Sequence, residues 1–585
     1  MKSARSLVPA TALVLSLGLS ACGPDESSPS AANVTAGGQL GPASAPLIFD
    51  RRETLYVTGA SWGPASSWNP FQPGGLANAT GTIGNLYEFL FGYDPQKGEL
   101  IPWLAEAGTW RDANTYELKL REGLTWSDGQ PLTVADVRFT FELGRKYPAL
   151  WFAPMWSYLT GITAPDDRRL VLTFKDPLYQ DFASNLYNLP IVPEHLWRDR
   201  SEQEITTGAN ERPIGSGAYR YLSHAEDRNV WQRNDQWWGI GVFGWPAPKY
   251  LVDIRTTGNN VALGLMIRGE LDLSNNFLPG VPELVRRGQI KTYSPGPPYM
   301  IPADTTVLYL NTRKGPLADS AFRRALAFAI DVPTIVNRAY GGLVVAASSG
   351  GLLPSLSRYD DHEVLMRLGY TYDPGRARQL LAAAGYRDRD GDGFVEAPDG
   401  ARIALEATCP NGWTDWMAAI GVIASSAQAA GIDVRTAAPD YGAWNTALEG
   451  GTFDMTLNSA APLSLTPWTL YSQLFNHPLR AQMQSGNFGR YDSPRIFELV
   501  DALARLPAAD ELGIKVATAR IQTLMLTELP MIPLWYNGLW AQWRDSAWTN
   551  WPTAAAGTPK TLPTIWSGFW QLGGLQTLIN LKPNQ

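Results

Sequence analysis

Residues Thr115–Glu142 read TYELKLREGLTWSDGQPLTVADVRFTFE. Tyr116, Leu118 and Leu120 alternate with Glu117 and Lys119, the period-two pattern of a strand with one buried face. Ser127-Asp128-Gly129-Gln130-Pro131 supplies a turn, with a glycine that tolerates positive φ and a proline that cannot extend a ladder. Thr133 then stands where an N-cap belongs, and an amphipathic helix follows from Ala135 to about Gly144. Strand, turn and capped helix in one run predict a mixed α/β chain.

The same alternation of elements extends in both directions. Thr54–Gly59 (TLYVTG) is a buried strand, and Trp62–Gly75 is a loop rich in Pro, Gly, Asn and Trp. Leu170–Phe174 alternates as a strand, and a Gly-Ser-Gly turn between Pro213 and Tyr221 leads into another. Leu317–Tyr340 has helical spacing with Arg323 and Arg324 on the polar face. Ala377–Ala384 is a short helix closed by Gly385, and Thr414–Ala430 is a longer one stopped by Gly431. Asp433–Thr436 resumes as strand, the order of an α/β layer, and no internal repeat is visible.

Composition bounds the function. The chain has 585 residues, 48 Lys and Arg against 55 Asp and Glu, a net charge of −7 and 45% apolar residues. That is ample for buried cores and is unlike a disordered chain. An acidic chain has no basic surface to neutralise phosphates, so nucleic acid is not expected as a partner. The 23 Trp equal the Tyr and exceed the 19 Phe, so large flat rings are used in quantity.

The amino end (Met-Lys-Ser-Ala-Arg, then an apolar stretch Leu7–Ala21) has the layout of a signal peptide, too short to span a membrane and interrupted by Pro9. Leu19-Ser20-Ala21-Cys22 resembles a bacterial lipobox, which implies cleavage before Cys22 and acylation of its thiol as a lipid anchor. With Cys22 so used, Cys409 has no intrachain partner. Gly23–Pro46 has tether composition.

Thr115–Glu142 is similar to the signature of the peptide and nickel family (family 5) of extracytoplasmic solute-binding proteins. Further segments fit in the same order: NLYEFLFGYD from Asn85, PIGSGAY from Pro213, NTRKGPLADSAFRRALAFAID from Asn311, ARQLLAAAGY from Ala377, GTFDM from Gly451 and ELPMIPL from Glu528. The resemblance implies a two-lobed periplasmic-binding-protein type II clamp with an additional α/β domain, monomeric, delivering ligand to an ABC permease from the outer side of the cytoplasmic membrane. Mapped here, it implies a signal peptide over 1–21 and a lipidated tether over 22–46. Lobe I would comprise 47–90, 206–300 and 536–585, the additional domain 91–205, and lobe II 301–535. Trp126, Ser127 and Asp128 then belong to scaffold.

Peptide binders of this family commonly carry an Asp soon after the strand that here contains Phe453-Asp454-Met455, where it pairs with the ligand's α-amino group. Leu457–Phe475 (LNSAAPLSLTPWTLYSQLF) has no acidic residue. A buried ammonium without counter-charge costs several kcal/mol, so a peptide amine is poorly served unless another carboxylate reaches in. Asn458, Trp468 and Tyr471 suit a sugar instead, whose C–H face stacks on a ring while its hydroxyls exchange hydrogen bonds. SGNFGRY from Ser485 and the early TGASWGPASSWNPF are also similar to the branch that takes up β-linked oligosaccharides such as cellobiose. The expected ligand set is Trp62, Asn69, Asn275, Asn276, Trp413, Asn458, Trp468, Tyr471 and Trp535, with packing as the competing use of any one Trp.

Asp388, Asp390, Asp392, Gly393 and Asp399 fit positions 1, 3, 5, 6 and 12 of an EF-hand-type calcium loop, with Glu396 at 9 and the Phe394 carbonyl at 7. A structural calcium ion and a solvated Asp-Gly turn are the two readings. Gly59-Ala60-Ser61-Trp62-Gly63 matches a nucleophile elbow but lacks the following helix. The four His show no zinc-pair spacing. No enzymatic activity is expected, and no cofactor is required; the rival class, a secreted carbohydrate-active hydrolase, needs two carboxylates flanking a scissile bond.

Overall fold

A computed structural model describes residues 49–59, 65–72, 81–94, 97–460, 463–559, 561–564 and 573–584. Cys22 with its signal peptide and tether, and Trp62 with the rest of the elbow-like stretch after Gly59, lie outside the described residues.

The opening motif folds as strand Thr115–Leu120 and helix α1 (Val134–Lys146). The Thr133 hydroxyl accepts from Ala135 N at 3.2 Å and Asp136 Oδ2 accepts from Thr133 N at 2.9 Å, a capping box that satisfies donors at both ends of the first turn. The strand lies in a four-stranded antiparallel sheet, ordered Ala105–Asp112, Thr115–Leu120, Arg169–Phe174, Leu159–Thr163. Trp126 is buried and Ser127 N donates to Gly215 O at 2.8 Å, so this stretch is packing and turn.

Two larger sheets carry the rest. In the seven-stranded sheet, β1 (Thr54–Thr58) is central, parallel to β2 (Tyr250–Ile254) and to β3 (Leu273–Ser274). Helix α2 (Asn259–Arg268) makes the crossover between β2 and β3. Outer strands come from Tyr219–Ala225, Arg228–Arg233, Lys291–Thr292 and Gln542–Trp543, so widely separated stretches build one sheet. The six-stranded sheet centres on β4 (Ile301–Leu310). It also contains β5 (Leu405–Thr408), which pairs in parallel with β6 (Met455–Ala460); β6 and β7 (Met531–Leu539) flank β4, and helix α3 (Thr414–Ala429) follows β5. Every residue of β7 is buried, and the lobe boundary drawn at 535 falls inside this strand. Gly431 takes φ +91°, the left-handed turn that ends α3.

The helix expected over Leu317–Tyr340 is divided. Ser320–Ala329 is helical and capped by Asp319, whereas Asp331 starts a new turn by accepting from Thr334 N at 3.0 Å, with Pro333 unable to donate. Arg323, expected on a polar face, is buried. Its guanidinium donates to the carbonyls of Leu317, Ala318, Glu528 and Leu529, gathering acceptors that a helix end leaves unpaired.

Glu88 is fully buried, and its carboxylate accepts from three indoles: Trp103 Nε1 (2.9 Å), Trp237 Nε1 (3.0 Å) and Trp238 Nε1 (2.8 Å). Burial pushes it up to about 7 against these donors and Ser216. Burial likewise raises Asp253 and Asp304 to about 7 and Asp415 to about 6. The unfolded carboxyls titrate near 4, so the folded chain binds more protons across this window, and stability is greatest on the acid side and declines as pH rises through the folded values. Thermal melts from pH 5 to pH 8 are expected to show a falling melting temperature, with a smaller slope for Asp253→Asn; a flat or rising profile contradicts the assignment.

Candidate functional site

Ligands of open α/β sheets gather at the carboxyl ends of parallel strands. Those of β1, β2 and β3 lead to Thr58, Thr256, Ser274 and Asn276, all buried. Asn276 Nδ2 donates to Thr256 Oγ1 at 2.8 Å, and Thr256 Oγ1 lies 3.3 Å from Thr58 Oγ1. In the other sheet, β5 is followed by Cys409, a buried thiol pushed up to about 12 by burial and by the charge of Asp415, and the chain then runs through Gly412 and Trp413 into α3.

The two sheets' segments touch here. Asn259 N donates to Gly412 O at 3.3 Å. Asn259 Nδ2 donates to Thr414 Oγ1 at 3.2 Å and Asp415 Oδ1 at 3.0 Å, while the Tyr340 hydroxyl donates to Asp415 Oδ2 at 3.1 Å. Tyr340 also packs on Trp535 (centroids 5.3 Å), on Trp540 (6.0 Å, 6° from parallel) and edge-on to Phe277 (5.7 Å). Phe277 follows β3 whereas Trp535 lies on β7, so this aromatic group joins the two sheets.

Register places Asp304, Thr306, Trp535 and Asn537 side by side on β4 and β7, with Ser459 opposite Thr306 on β6. All but Ser459 are at least nine-tenths buried, and among the described residues Asp304 Oδ1, Thr306 Oγ1 and Asn537 Oδ1 meet no hydrogen-bond partner. Ser459 and Asn537 hold Asp304 down, but burial outweighs them.

The expected ligand residues divide into two groups. Asn69 is sealed: Nδ2 donates to Ile205 O (2.9 Å) and Gly208 O (3.0 Å), and Oδ1 accepts from Phe71 N (3.0 Å), so its amide ties one loop to another. Tyr471 and Trp535 are fully buried, Tyr471 on the inner face of helix Trp468–Leu474 and Trp535 on β7, a strand buried along its whole length. Asn276 is buried in the threonine cluster. Asn275 Nδ2 donates to Trp540 O at 2.7 Å and Pro563 O at 3.2 Å. Asn458, Trp468 and Trp413 keep partly exposed surfaces, Asn458 Oδ1 accepting from Ser459 N at 2.9 Å. Trp413 packs on Trp416 (4.7 Å, edge-on) and lies within 29° of parallel to the partly exposed Tyr441 at 6.2 Å.

Sequence reasoning missed Tyr441, Asn259, Asp415, Tyr340 and Asp304. Asp304 carried a signal, an acid inside an otherwise apolar strand (IPADTTVLYL). Asn259 carried none, since its role depends on a residue far along the chain.

In the acidic loop, carboxylate oxygens of Asp388, Asp390, Asp392 and Glu396 lie within 4.8 Å of one another. Asp399 stands apart from that group and accepts from Ala401 N at 3.0 Å; Phe394 N donates to Asp392 Oδ1 at 2.8 Å. The donor set fits a hard cation through four carboxylates but lacks the closing bidentate ligand of a full EF-hand loop.

The family model for bacterial extracellular solute-binding proteins, family 5 middle, matches residues 99–479. A mannohexaose-bound periplasmic oligopeptide-binding protein of an ABC transporter from Thermotoga maritima is 43% identical with a TM-score of 0.88, covering 92% of this chain and 100% of that one. The oligopeptide-binding protein AppA from Bacillus subtilis, in complex with a nonapeptide, shares the fold at 18% identity and TM-score 0.74, covering 91% of this chain and 99% of that one. The peptidoglycan-binding protein YepA of Agrobacterium fabrum is 24% identical over 545 residues, covering 82% of this chain and 85% of its own.

Proposed function

The chain belongs to family 5 of the bacterial extracellular solute-binding proteins, the ligand-capturing components of ABC importers, and we propose that its ligand is a short neutral oligosaccharide of β-linked glucose or a similar sugar. The observation that carries this reading is the Trp413–Tyr441 pair, two partly exposed rings close to parallel beside the contact between the sheets. Flat aromatic surface takes the C–H face of a pyranose, and the partly exposed Asn458 on β6 of the same sheet supplies an amide for hydroxyls. The mannohexaose bound to the Thermotoga relative supports a sugar over a peptide. The carboxylates on this side, Asp304 and Asp415, are buried, which leaves an incoming ammonium without an accessible counter-charge and also disfavours the hydrolase alternative, which needs two carboxyls at a bond.

The proposal includes delivery to a membrane permease by a monomeric lipoprotein anchored through Cys22. No described helix is long and apolar enough to cross a membrane. The loop from Asp388 is proposed to hold a structural calcium ion, on the support of its four converging carboxylates.

Titration calorimetry with cello- and manno-oligosaccharides against tri- and tetrapeptides tests the ligand: sugar binding is expected, and tight peptide binding with none to sugar overturns it. Trp413→Ala is expected to weaken sugar binding by roughly 1–3 kcal/mol through the loss of apolar burial and ring stacking. For the calcium loop, chelator is expected to lower the melting temperature, and Asp390→Ala to abolish that response without changing ligand affinity; identical melts with and without chelator leave a hydrogen-bonded turn.

A further inference from the structure

Helices α2 and α3 begin at the same place. Each is a crossover helix of a different sheet, α2 between β2 and β3 and α3 after β5, and their first turns meet through Gly258, Asn259, Gly412, Thr414 and Asp415. The approach is backbone to backbone. A Cβ at Gly258 would lie 3.3 Å from Gly412 O, and one at Gly412, whose φ is +84°, would lie 3.0 Å from Thr257 O. Helix amino termini carry partial positive charge, so two of them facing each other repel unless an anion lies between. Asp415 is that anion: one oxygen accepts from Asn259 at the first position of α2, the other from Tyr340, and backbone N–H groups of its own first turn face it.

We infer that Asn259 and Asp415 form a closure latch, a pair of positioning residues that sets how much of the clamp is closed without touching ligand. Tyr340–Asp415 joins parts of the six-stranded lobe and survives opening. The Asn259 bonds to Thr414 and Asp415 join elements of different sheets, so separating the sheets breaks them. Asn259 is 2% exposed, which denies it ligand contact in the closed arrangement. A ligand's apparent affinity is its affinity for the closed form scaled by the population of that form, so weakening the latch lowers affinity for every ligand by the same factor. The inference rests on the two-lobe clamp reading and is independent of sugar or peptide as ligand.

Stopped-flow Trp fluorescence measures the rates for mannohexaose, cellohexaose and a hexapeptide, on whichever of them binds. Asn259→Ala removes a hydrogen bond to a charged group and is expected to raise the dissociation rate about tenfold or more, alike for each ligand that binds, with the association rate nearly unchanged and only a modest fall in melting temperature, since Tyr340 still donates to Asp415. Asn259→Asp sets two carboxylates together and is expected to do more. Adding Asp415→Asn to it restores an amide–carboxylate pair of reversed polarity and is expected to recover most of the loss. Unequal effects among ligands make Asn259 a ligand contact and overturn the latch, as does an unchanged dissociation rate, or a loss of affinity matched by a fall in melting temperature with no recovery in the reversed pair. Binding by the hexapeptide alone removes the sugar reading and leaves the latch to be judged on the same rates.

Discussion

Glu88 sits where a charge is least welcome and is kept there by three indole N–H groups from two separated stretches of chain. Trp103 stands at the entrance to the four-stranded sheet, and Trp237 and Trp238 follow the outer strands of the seven-stranded one. Docking of the additional domain therefore depends on a polar knot inside an aromatic one: Trp103 stacks on Phe243 at 3.9 Å, with Trp237 and Trp238 packed around it. Removing one indole leaves a buried carboxylate short of donors, and such a deletion costs far more than the net worth of the bond. Three of the 23 Trp are used in this way, as a large apolar body with one donor at its rim.

The interior of the six-stranded sheet is less well satisfied. On β4 and β7, the buried side chains of Asp304, Thr306 and Asn537 each keep an atom without a partner among the described residues. A buried polar atom without a hydrogen bond raises the free energy of the arrangement that buries it.

Local chemistry was legible in the sequence wherever one segment decided it. The Thr133 cap, the turn before it and the stop of α3 at Gly431 follow from nearest neighbours. Exposure was not legible, because it is set by what lands on an element from elsewhere. Trp413 and Trp535 look alike in sequence, yet one ends a loop where the sheets meet and the other lies in a strand covered on both faces. Asn69 has the composition of a ligand amide, and the carbonyls of 205 and 208 consume it. Arg323 has helix-surface spacing, yet the end of the helix Glu511–Glu528 arrives over it and takes its donors. Family resemblance supplied the clamp, and only the folded chain shows which residues of the two sheets touch.

Cys409 lies one step from the latch, just after β5, with a thiol held neutral by burial and by the negative charge of Asp415. Thiol oxidation and disulfide exchange proceed through the thiolate, so a sulfur kept protonated and covered is chemically inert. Outside the cytoplasmic membrane, where oxidants and exchange catalysts are abundant, this spares the moving part of the clamp from mixed disulfides and sulfenic acid. Repeated opening and closing can then continue without a redox partner to repair it.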